Sequence, residues 1–210
     1  MKLVKPSVEF MDSSGSIESI EVAARVCYKS EGKITMTSAK PMFEMLLRNG
    51  HNAMIEFGWM FYKVICDRGV THEIVRHRLF SYAQESTRYC NYSGGIEFII
   101  PCWSVLQSAE FSSWPEVGEL ATNTELWLSH MSQSERTYIQ MIRGGWTPQQ
   151  ARSVLPNSLK TEICIAGNFR EWRHFFKLRT AKSAHPQMQE VANMILVDAK
   201  KCVKTVFDDC

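Results

Sequence analysis

The sequence predicts a single α/β domain, because strand-like and helix-like segments alternate along its 210 residues without an internal repeat or a break in composition. Residues 57–66, FGWMFYKVIC, are rich in aromatic and β-branched side chains and are typical of a strand. Residues 16–29 carry apolar side chains at helical spacing, and a long helical pattern runs from about Glu119 to Arg143. A chain of this length buries about 70% of its unfolded surface, so its core needs no disulfide.

Capping and turn residues indicate where the other elements begin and end. Ser38 is expected to cap a second helix that stops at Gly50, and Thr71 to cap a short helix that continues to about Phe80. Thr147-Pro148 is typical of a helix start. We also expect strands near residues 98–100 and 158–165, helices over 169–179 and from Pro186 to about Phe207, and extended chain or loop over 81–93; residues 103–118 give no clear pattern.

Composition excludes several classes of protein. The net charge of +2 comes from 24 basic and 22 acidic residues, so any anion site must be local, and we expect neither nucleic acid nor a membrane as a partner. The seven cysteines show no CxxC spacing, which favours reduced thiols. The N-terminal residues lack a signal-peptide core, and apolar runs fall short of the ~18 residues of a membrane span. We therefore expect a cytoplasmic protein.

The densest polar cluster begins at Arg76-His77-Arg78 and continues through Ser81, Gln84, Ser86 and Arg88. On a helix, three consecutive side chains would spread over about 200°, so at least one should face a cleft or a neighbouring subunit. Arginine suits phosphate because its planar guanidinium donates paired hydrogen bonds and stays charged. Three basic residues alone are also typical of a solvated helix end. The complete pattern favours a site for phosphorylated ligands.

This segment resembles a family signature. RHRLFSYAQES, from Arg76 to Ser86, has the Arg-His-Arg, seven residues, then serine of the flavin-dependent thymidylate synthases. Gly50-His51 with Glu56 resembles that family's GHxxxxE element, Ala151-Arg152 with Leu155-Pro156 its ARxxLP segment, and residues 168–179 its flavin and nucleotide element. The resemblance runs from about residue 20 to 200. It implies a mixed, largely antiparallel β-sheet flanked by helices, and a homotetramer with active sites at subunit interfaces.

The resemblance also implies an enzyme of dTMP biosynthesis, a methyltransferase that oxidises NADPH. FAD, NADPH, dUMP and methylenetetrahydrofolate would meet at one site. NADPH would reduce the flavin; later the methylene group would be transferred and the reduced flavin would deliver a hydride, yielding dTMP and tetrahydrofolate.

Site residues are carried over by position. The dUMP set is Glu73, Arg76, Gln84, Ser86, Arg88, Arg152 and Arg179. The FAD set is His51, Arg76, His77, Arg78, Gln84, Asn168, Arg170 and His174. Arg179 and Ser86 are the catalytic candidates: Arg179 would stabilise negative charge on the pyrimidine, and Ser86 would position the nucleotide. No metal is expected. Two positions depart from relatives, which can carry glutamate at Gln84 and glutamine at Glu73; an acid at Glu73 could pair with Arg76 or His77.

Other classes of function fit less well. A zinc hydrolase would place its histidines four residues apart, whereas His72 and His77 are five apart and Arg76 takes the ligand position. A nucleic-acid-binding module is disfavoured by the near-neutral charge and the dispersed arginines. The flavin-independent thymidylate synthases use a cysteine nucleophile, and Pro101-Cys102 lacks the setting for one. The sequence contains neither GxSxG nor GxGxxG, so any flavin must be bound without a Rossmann fingerprint.

Overall fold

The structure is a computed structural model that describes residues 1–110 and 122–210. These residues form two compact units, each assembled from separate stretches of chain. The first unit comprises Met1–Ser7, Ile65–Glu73 and Gln84–Ile163; the second comprises Val8–Val64, Ile74–Ala83 and Cys164–Cys210. A single domain over residues 1–210 stays a prediction.

Strands and helices alternate along the described chain, as predicted. The strands are β1 (Lys2–Val4), β2 (Ser7–Ser14), β3 (Trp59–Asp67), β4 (Ser81–Gln84), β5 (Glu97–Ile99), β6 (Ala109–Glu110) and β7 (Lys160–Asn168). The helices are α1 (Ile17–Tyr28), α2 (Ala39–Arg48), α3 (Arg68–Ile74), α4 (Asn123–Arg143), α5 (Pro148–Ala151), α6 (Phe169–Arg179) and α7 (Pro186–Cys202). Short 3-10 turns lie at Glu31–Lys33, Asn52–Glu56 and Arg152–Val154. No helix in the described ranges is both long enough and apolar enough to cross a bilayer.

Two sheets organise these strands. One has the order β5-β1-β6, with β1 parallel to β5 and antiparallel to β6, so that Leu3 lies opposite Phe98 on one side and Ala109 on the other. The second has the order β2-β3-β7-β4. Every second side chain of β3 is buried, from Met60 to Cys66, which explains why its sequence is so apolar. The predicted mixed sheet with flanking helices is confirmed.

The core of the second unit is aromatic. Helix α6 buries Phe169, Trp172, Phe175 and Phe176, each at most 1% exposed. Full burial of each such side chain contributes roughly 1.5–3 kcal/mol to the free energy of unfolding. The ring of Phe80 packs so closely on Gly167 that a Cβ at that position would overlap it. This contact fixes the loop before Phe80 against the end of β7.

The predicted helix from Thr71 to Phe80 is wrong. Helix α3 begins earlier, where the Asp67 carboxylate accepts a hydrogen bond from the Val70 N–H over 2.7 Å, and it ends at Ile74. The Tyr82 hydroxyl then donates to the Ile74 carbonyl over 2.6 Å and lies 2.8 Å from the His77 carbonyl. These contacts satisfy carbonyls that a continuing helix would use. Residues 76–78 therefore lie in turns, and the argument that spread them around a helix does not apply.

Two other boundaries differ from the prediction. Helix α4 begins at Asn123 because Thr122 and Glu125 form a capping box, and the earlier residues predicted for it, 119–121, lie outside the described ranges. Helix α7 stops at Cys202, since Arg173 binds the Val206 carbonyl over 2.6 Å and holds the following chain as turns. Ser38 occupies the cap of α2 as predicted, although its hydroxyl donates to Glu21 instead of accepting from the helix.

Candidate active site

Helix α6 brings together several of the predicted site residues in the second unit. Asn168 caps the helix, and its Oδ1 accepts a hydrogen bond from the Glu171 N–H over 2.9 Å, which leaves Nδ2 as the donor of that amide. Counted from Glu171, His174 lies three and Arg179 eight residues further along the helix. The three side chains therefore span an arc of about 140° on one broad face. The face points a carboxylate, an imidazole and a guanidinium at the His77 loop.

His77 is the centre of this cluster. Its ring is buried, and its Nδ1 lies 3.3 Å from Glu171 Oε1. On the other side of the ring, the Arg179 Nε–H donates to His77 Nε2 over 3.0 Å. Nε2 is therefore an acceptor, which places the proton of the neutral imidazole on Nδ1, where it donates to Glu171. Burial, aided by the charges of Arg179 and His174, lowers the pKa of His77 to about 4, so the ring is neutral at pH 7.

The same three side chains could be read as metal ligands. Ligand atoms of His77, Glu171 and His174 lie within 4.8 Å of one another. However, the lone pair of His77 Nε2 already accepts from Arg179, and a guanidinium at 3.0 Å opposes a second cation. Burial also raises the pKa of Glu171, which disfavours the anion that a metal needs. The geometry favours a hydrogen-bonded chain over a metal centre.

Two predicted flavin residues line a cavity of about 820 Å³ in the second unit. These are Arg170, whose Nη1 donates to Glu56 Oε1 over 2.7 Å, and the exposed His174. The rest of the lining includes the apolar side chains of Leu47, Ile55, Leu79 and Phe176 and charged residues such as Arg173, Lys177 and Asp209. The volume is within the range of sites for organic ligands, and its lining combines apolar with charged groups.

The other predicted flavin residues of the second unit lie elsewhere on it. His51 is exposed, with its Nδ1 3.4 Å from the Tyr28 hydroxyl. Arg76 and Arg78 are exposed on the turns that flank His77. Glu73, a nucleotide candidate of the first unit, is half-buried. The carboxylate beside His77 Nδ1 is that of Glu171, and a pairing of Glu73 with Arg76 or His77 stays a prediction.

In the first unit, Gln84 is held in a defined orientation. Its Nε2 lies 3.0 Å from Thr71 Oγ1 and 3.3 Å from Thr161 Oγ1, and both threonines are buried. The Thr71 hydroxyl proton is already donated to the Arg68 carbonyl over 2.8 Å, so its oxygen must accept from Gln84. The nitrogen end of the amide is thereby fixed against the threonines. Gln84 consequently offers its carbonyl oxygen, an acceptor, to a ligand.

The remaining nucleotide candidates of the first unit surround a turn after β4. Ser86 Oγ accepts from the Arg88 N–H over 3.3 Å, and the Ser86 carbonyl accepts from the backbone of Tyr89 and Cys90. The Arg88 guanidinium lies 5.4 Å from the centre of the Tyr89 ring. Arg152, exposed at the end of α5, donates to the buried Thr87 hydroxyl over 3.3 Å. The turn thus gathers a serine and two arginines in one unit.

Several residues that orient the candidate side chains are absent from the predicted site residues. Thr71, Thr161 and Thr87 orient Gln84 and Arg152, and nothing in their spacing singles them out. Glu171 is different, because its helical offset from His174 and Arg179 already places it on their face. That signal was sufficient to find it.

The chain belongs to the family described as thymidylate synthase complementing protein, which its sequence matches over residues 9–203. The family prediction made from Arg76 to Ser86 is therefore confirmed. Among its relatives is a flavin-dependent thymidylate synthase of Mycobacterium sp. (strain JLS), 32% identical over 98% of this chain and 85% of the relative. A flavin-dependent thymidylate synthase of Corynebacterium glutamicum is 30% identical over 94% of this chain and 81% of the relative.

A solved structure shares the fold. It is described as a UMP/dUMP methylase, PolB from Streptomyces cacaoi, bound with 5-Br dUMP. The TM-score is 0.80 with 24% sequence identity, over 99% of this chain and 96% of that chain. At this identity the likeness establishes the fold alone.

Proposed function

We propose that this protein is a flavin-dependent thymidylate synthase that methylates dUMP to dTMP, with methylenetetrahydrofolate as carbon donor and NADPH-reduced FAD as hydride source. Relatives about 30% identical carry that name. The observation that carries the proposal is the 3.0 Å hydrogen bond from Arg179 to His77. It brings a side chain expected at the nucleotide next to one expected at the flavin, and hydride transfer needs the two ligands to be adjacent.

The second unit has the groups that FAD would need. Its cavity of about 820 Å³ combines apolar side chains with charged ones, among them Arg170 and His174. Arg170 is half exposed and suited to a pyrophosphate, and Asn168 has its Nδ2 as a donor. We assign His51, Arg76, His77, Arg78 and Gln84 to the same cofactor. When bound, reduced FAD supplies the hydride; NADPH is the source of its electrons.

For dUMP, charge and hydrogen-bonding capacity suggest separate tasks. The Gln84 carbonyl oxygen would accept a hydrogen bond from the uracil N3–H, and this contact would recognise the base. Ser86, Arg88 and Arg152 gather on one turn and would bind phosphate. Arg76 is assigned to the same nucleotide as a further cation, and Glu73 would accept from one of its N–H or O–H groups. Arg179 would lie at the pyrimidine and stabilise negative charge as it develops on the ring. Such charge favours attack by the C5 carbon on the methylene group.

We further propose a homotetramer whose active sites combine residues of several subunits, because the predicted residues are dispersed over four stretches of chain. Light scattering on the purified protein should give four times the chain mass of 24.1 kDa. The cytoplasmic location stays a prediction.

Flavin uptake tests the proposal. Purified protein incubated with FAD and passed through a desalting column should be yellow, with the absorption of oxidised flavin. Adding dUMP should perturb that spectrum, and adding NADPH should bleach it. A protein that stays colourless and takes up no FAD contradicts the proposed function.

A further inference from the structure

Glu171 is a buried acid with no place in the predicted ligand sets. Its residue is 5% exposed, and its Oε1 lies 3.3 Å from His77 Nδ1. The other neighbours of the His77 ring are aromatic: Phe80, Phe175 and His174 lie with ring centres 6.0, 5.1 and 5.6 Å away. Phenylalanine rings offer no lone pair to a ring N–H. The acid therefore supplies the acceptor at Nδ1.

The tautomer of His77 determines whether the Nε–H of Arg179 has an acceptor in the imidazole. With the proton on Nδ1, the lone pair of Nε2 faces the Arg179 Nε–H, and the 3.0 Å contact is a hydrogen bond. With the proton on Nε2, two donors would face each other across the same distance and repel. A neutral imidazole has only these two arrangements. A group that holds the proton at Nδ1 therefore preserves the hydrogen bond at the arginine Nε.

We propose that Glu171 is a positioning residue, which keeps the His77 proton on Nδ1 so that Nε2 holds the Arg179 guanidinium in place for the nucleotide. The chain of contacts runs from carboxylate to imidazole to guanidinium within one unit. The inference rests on the proposed function for a single step, the contact between Arg179 and dUMP.

Direct observation of the tautomer tests, without any substrate, whether the His77 proton lies on Nδ1. The full chain labelled with ¹⁵N-histidine, in a long-range ¹H–¹⁵N correlation at pH 7, should show a neutral His77 ring protonated at Nδ1. The resonance is assigned by its loss in His77→Gln. A ring protonated at Nε2, or a charged ring, overturns the inference even if the enzyme makes dTMP. Conversely, an Nδ1 tautomer in a protein that makes no dTMP contradicts the proposed function and leaves the assignment of Glu171 to His77 intact.

Two variants test whether Glu171 affects the binding of dUMP through His77 and Arg179. Glu171→Gln keeps an oxygen acceptor and should bind dUMP within about threefold of the wild type. Glu171→Leu removes the acceptor, so dUMP should dissociate about 10- to 100-fold more readily, the cost of leaving a buried donor unsatisfied. FAD uptake should persist in both, and the Leu variant should raise the KM for dUMP more than it lowers kcat with reduced flavin. Unchanged dUMP affinity in the Leu variant, or equal loss in both variants, overturns the proposal.

Glu21→Leu is the matched control. Glu21 is also a buried acid of the second unit, 2% exposed, and accepts from Arg25 over 2.7 Å. Its loss should lower the unfolding midpoint without raising the dissociation constant for dUMP. If the control weakens dUMP as much as Glu171→Leu, a general loss of stability explains both and the proposal fails. Should the Leu variants not fold, the wild-type tautomer and Glu171→Gln still decide the matter.

Discussion

Arg179 donates its Nε–H to Nε2 of His77 over 3.0 Å, although the two residues are 102 positions apart in the chain. The contact makes the histidine an acceptor towards the arginine and a donor towards Glu171. It also helps to orient the guanidinium by binding its Nε–H. Substitutions at either end should therefore affect ligands more than they affect folding.

Removal of the Arg179 side chain should weaken the binding of dUMP but not that of FAD. Arg179→Ala loses a charged donor at the pyrimidine, so the dissociation constant for dUMP should rise roughly 10- to 100-fold. FAD uptake should be largely intact. Titration of each ligand against the purified variant measures both constants. Arg143→Ala, at an exposed arginine at the end of α4, is the control and should bind both ligands normally. Equal loss of FAD and dUMP in Arg179→Ala would reassign the residue to structure.

Ser86→Ala should affect the two half-reactions unequally. The hydroxyl lies on the turn with Arg88, and in the proposal it positions the nucleotide. NADPH oxidation by the flavin should therefore be retained better than dTMP formation, with a difference of roughly tenfold in rate. Parallel assays of NADPH absorbance and dTMP yield give the ratio. If both rates fall by the same factor, the role assigned to this serine is wrong.

Gln84 should lose its fixed orientation when a threonine partner is removed. Thr161→Val is nearly isosteric but removes one of the two acceptors of Gln84 Nε2 and leaves only Thr71 Oγ1, so the amide is held less firmly and can turn to present nitrogen in place of oxygen. We expect dUMP to bind about 3- to 10-fold more weakly, the loss of about one hydrogen bond. Thr137→Val, which removes a similar contact with Gln133 on α4, should leave binding unchanged. Wild-type affinity in Thr161→Val would show that the carbonyl of Gln84 does not read the base.

Acid should destabilise the fold through His77. Its pKa in the folded protein is about 4, lowered from 6.5 by burial, Arg179 and His174. Between these values the unfolded chain binds more protons, so the free energy of unfolding falls as the pH drops from about 6.5 towards about 4. The fall is at most about 3 kcal/mol, and the raised pKa of Glu171 partly opposes it. Urea unfolding over this range should be less pH-dependent in His77→Gln than in the wild type; equal slopes would locate the titration elsewhere.

Local patterns predicted most of the fold. Strand β3 and helix α6 follow from apolar periodicity, and the Thr147 capping box places α5 where the sequence indicates. The end of α3 could not be predicted in this way, because it depends on a hydroxyl eight residues further on, that of Tyr82. A helix signal in the Arg76 segment is overridden by a contact that only the folded chain makes.

The candidate site was also predicted only in part. The charged residues could be predicted from the family pattern, and Glu171 from its position three residues before His174 on the same helix. The orientation of Gln84 was not, since it depends on Thr71 having already donated its proton to the Arg68 carbonyl. Such an arrangement joins residues of two separate elements, β4 and α3. Spacing along the chain carries no trace of it.

The most direct measurement of the central claim is dTMP formation by the purified, FAD-loaded protein. With dUMP, methylenetetrahydrofolate and NADPH present, we predict dTMP and tetrahydrofolate in equal amounts, and no dTMP when either NADPH or FAD is left out. Product formed at the same rate without flavin, or no product from protein that has bound both FAD and dUMP, would contradict the account.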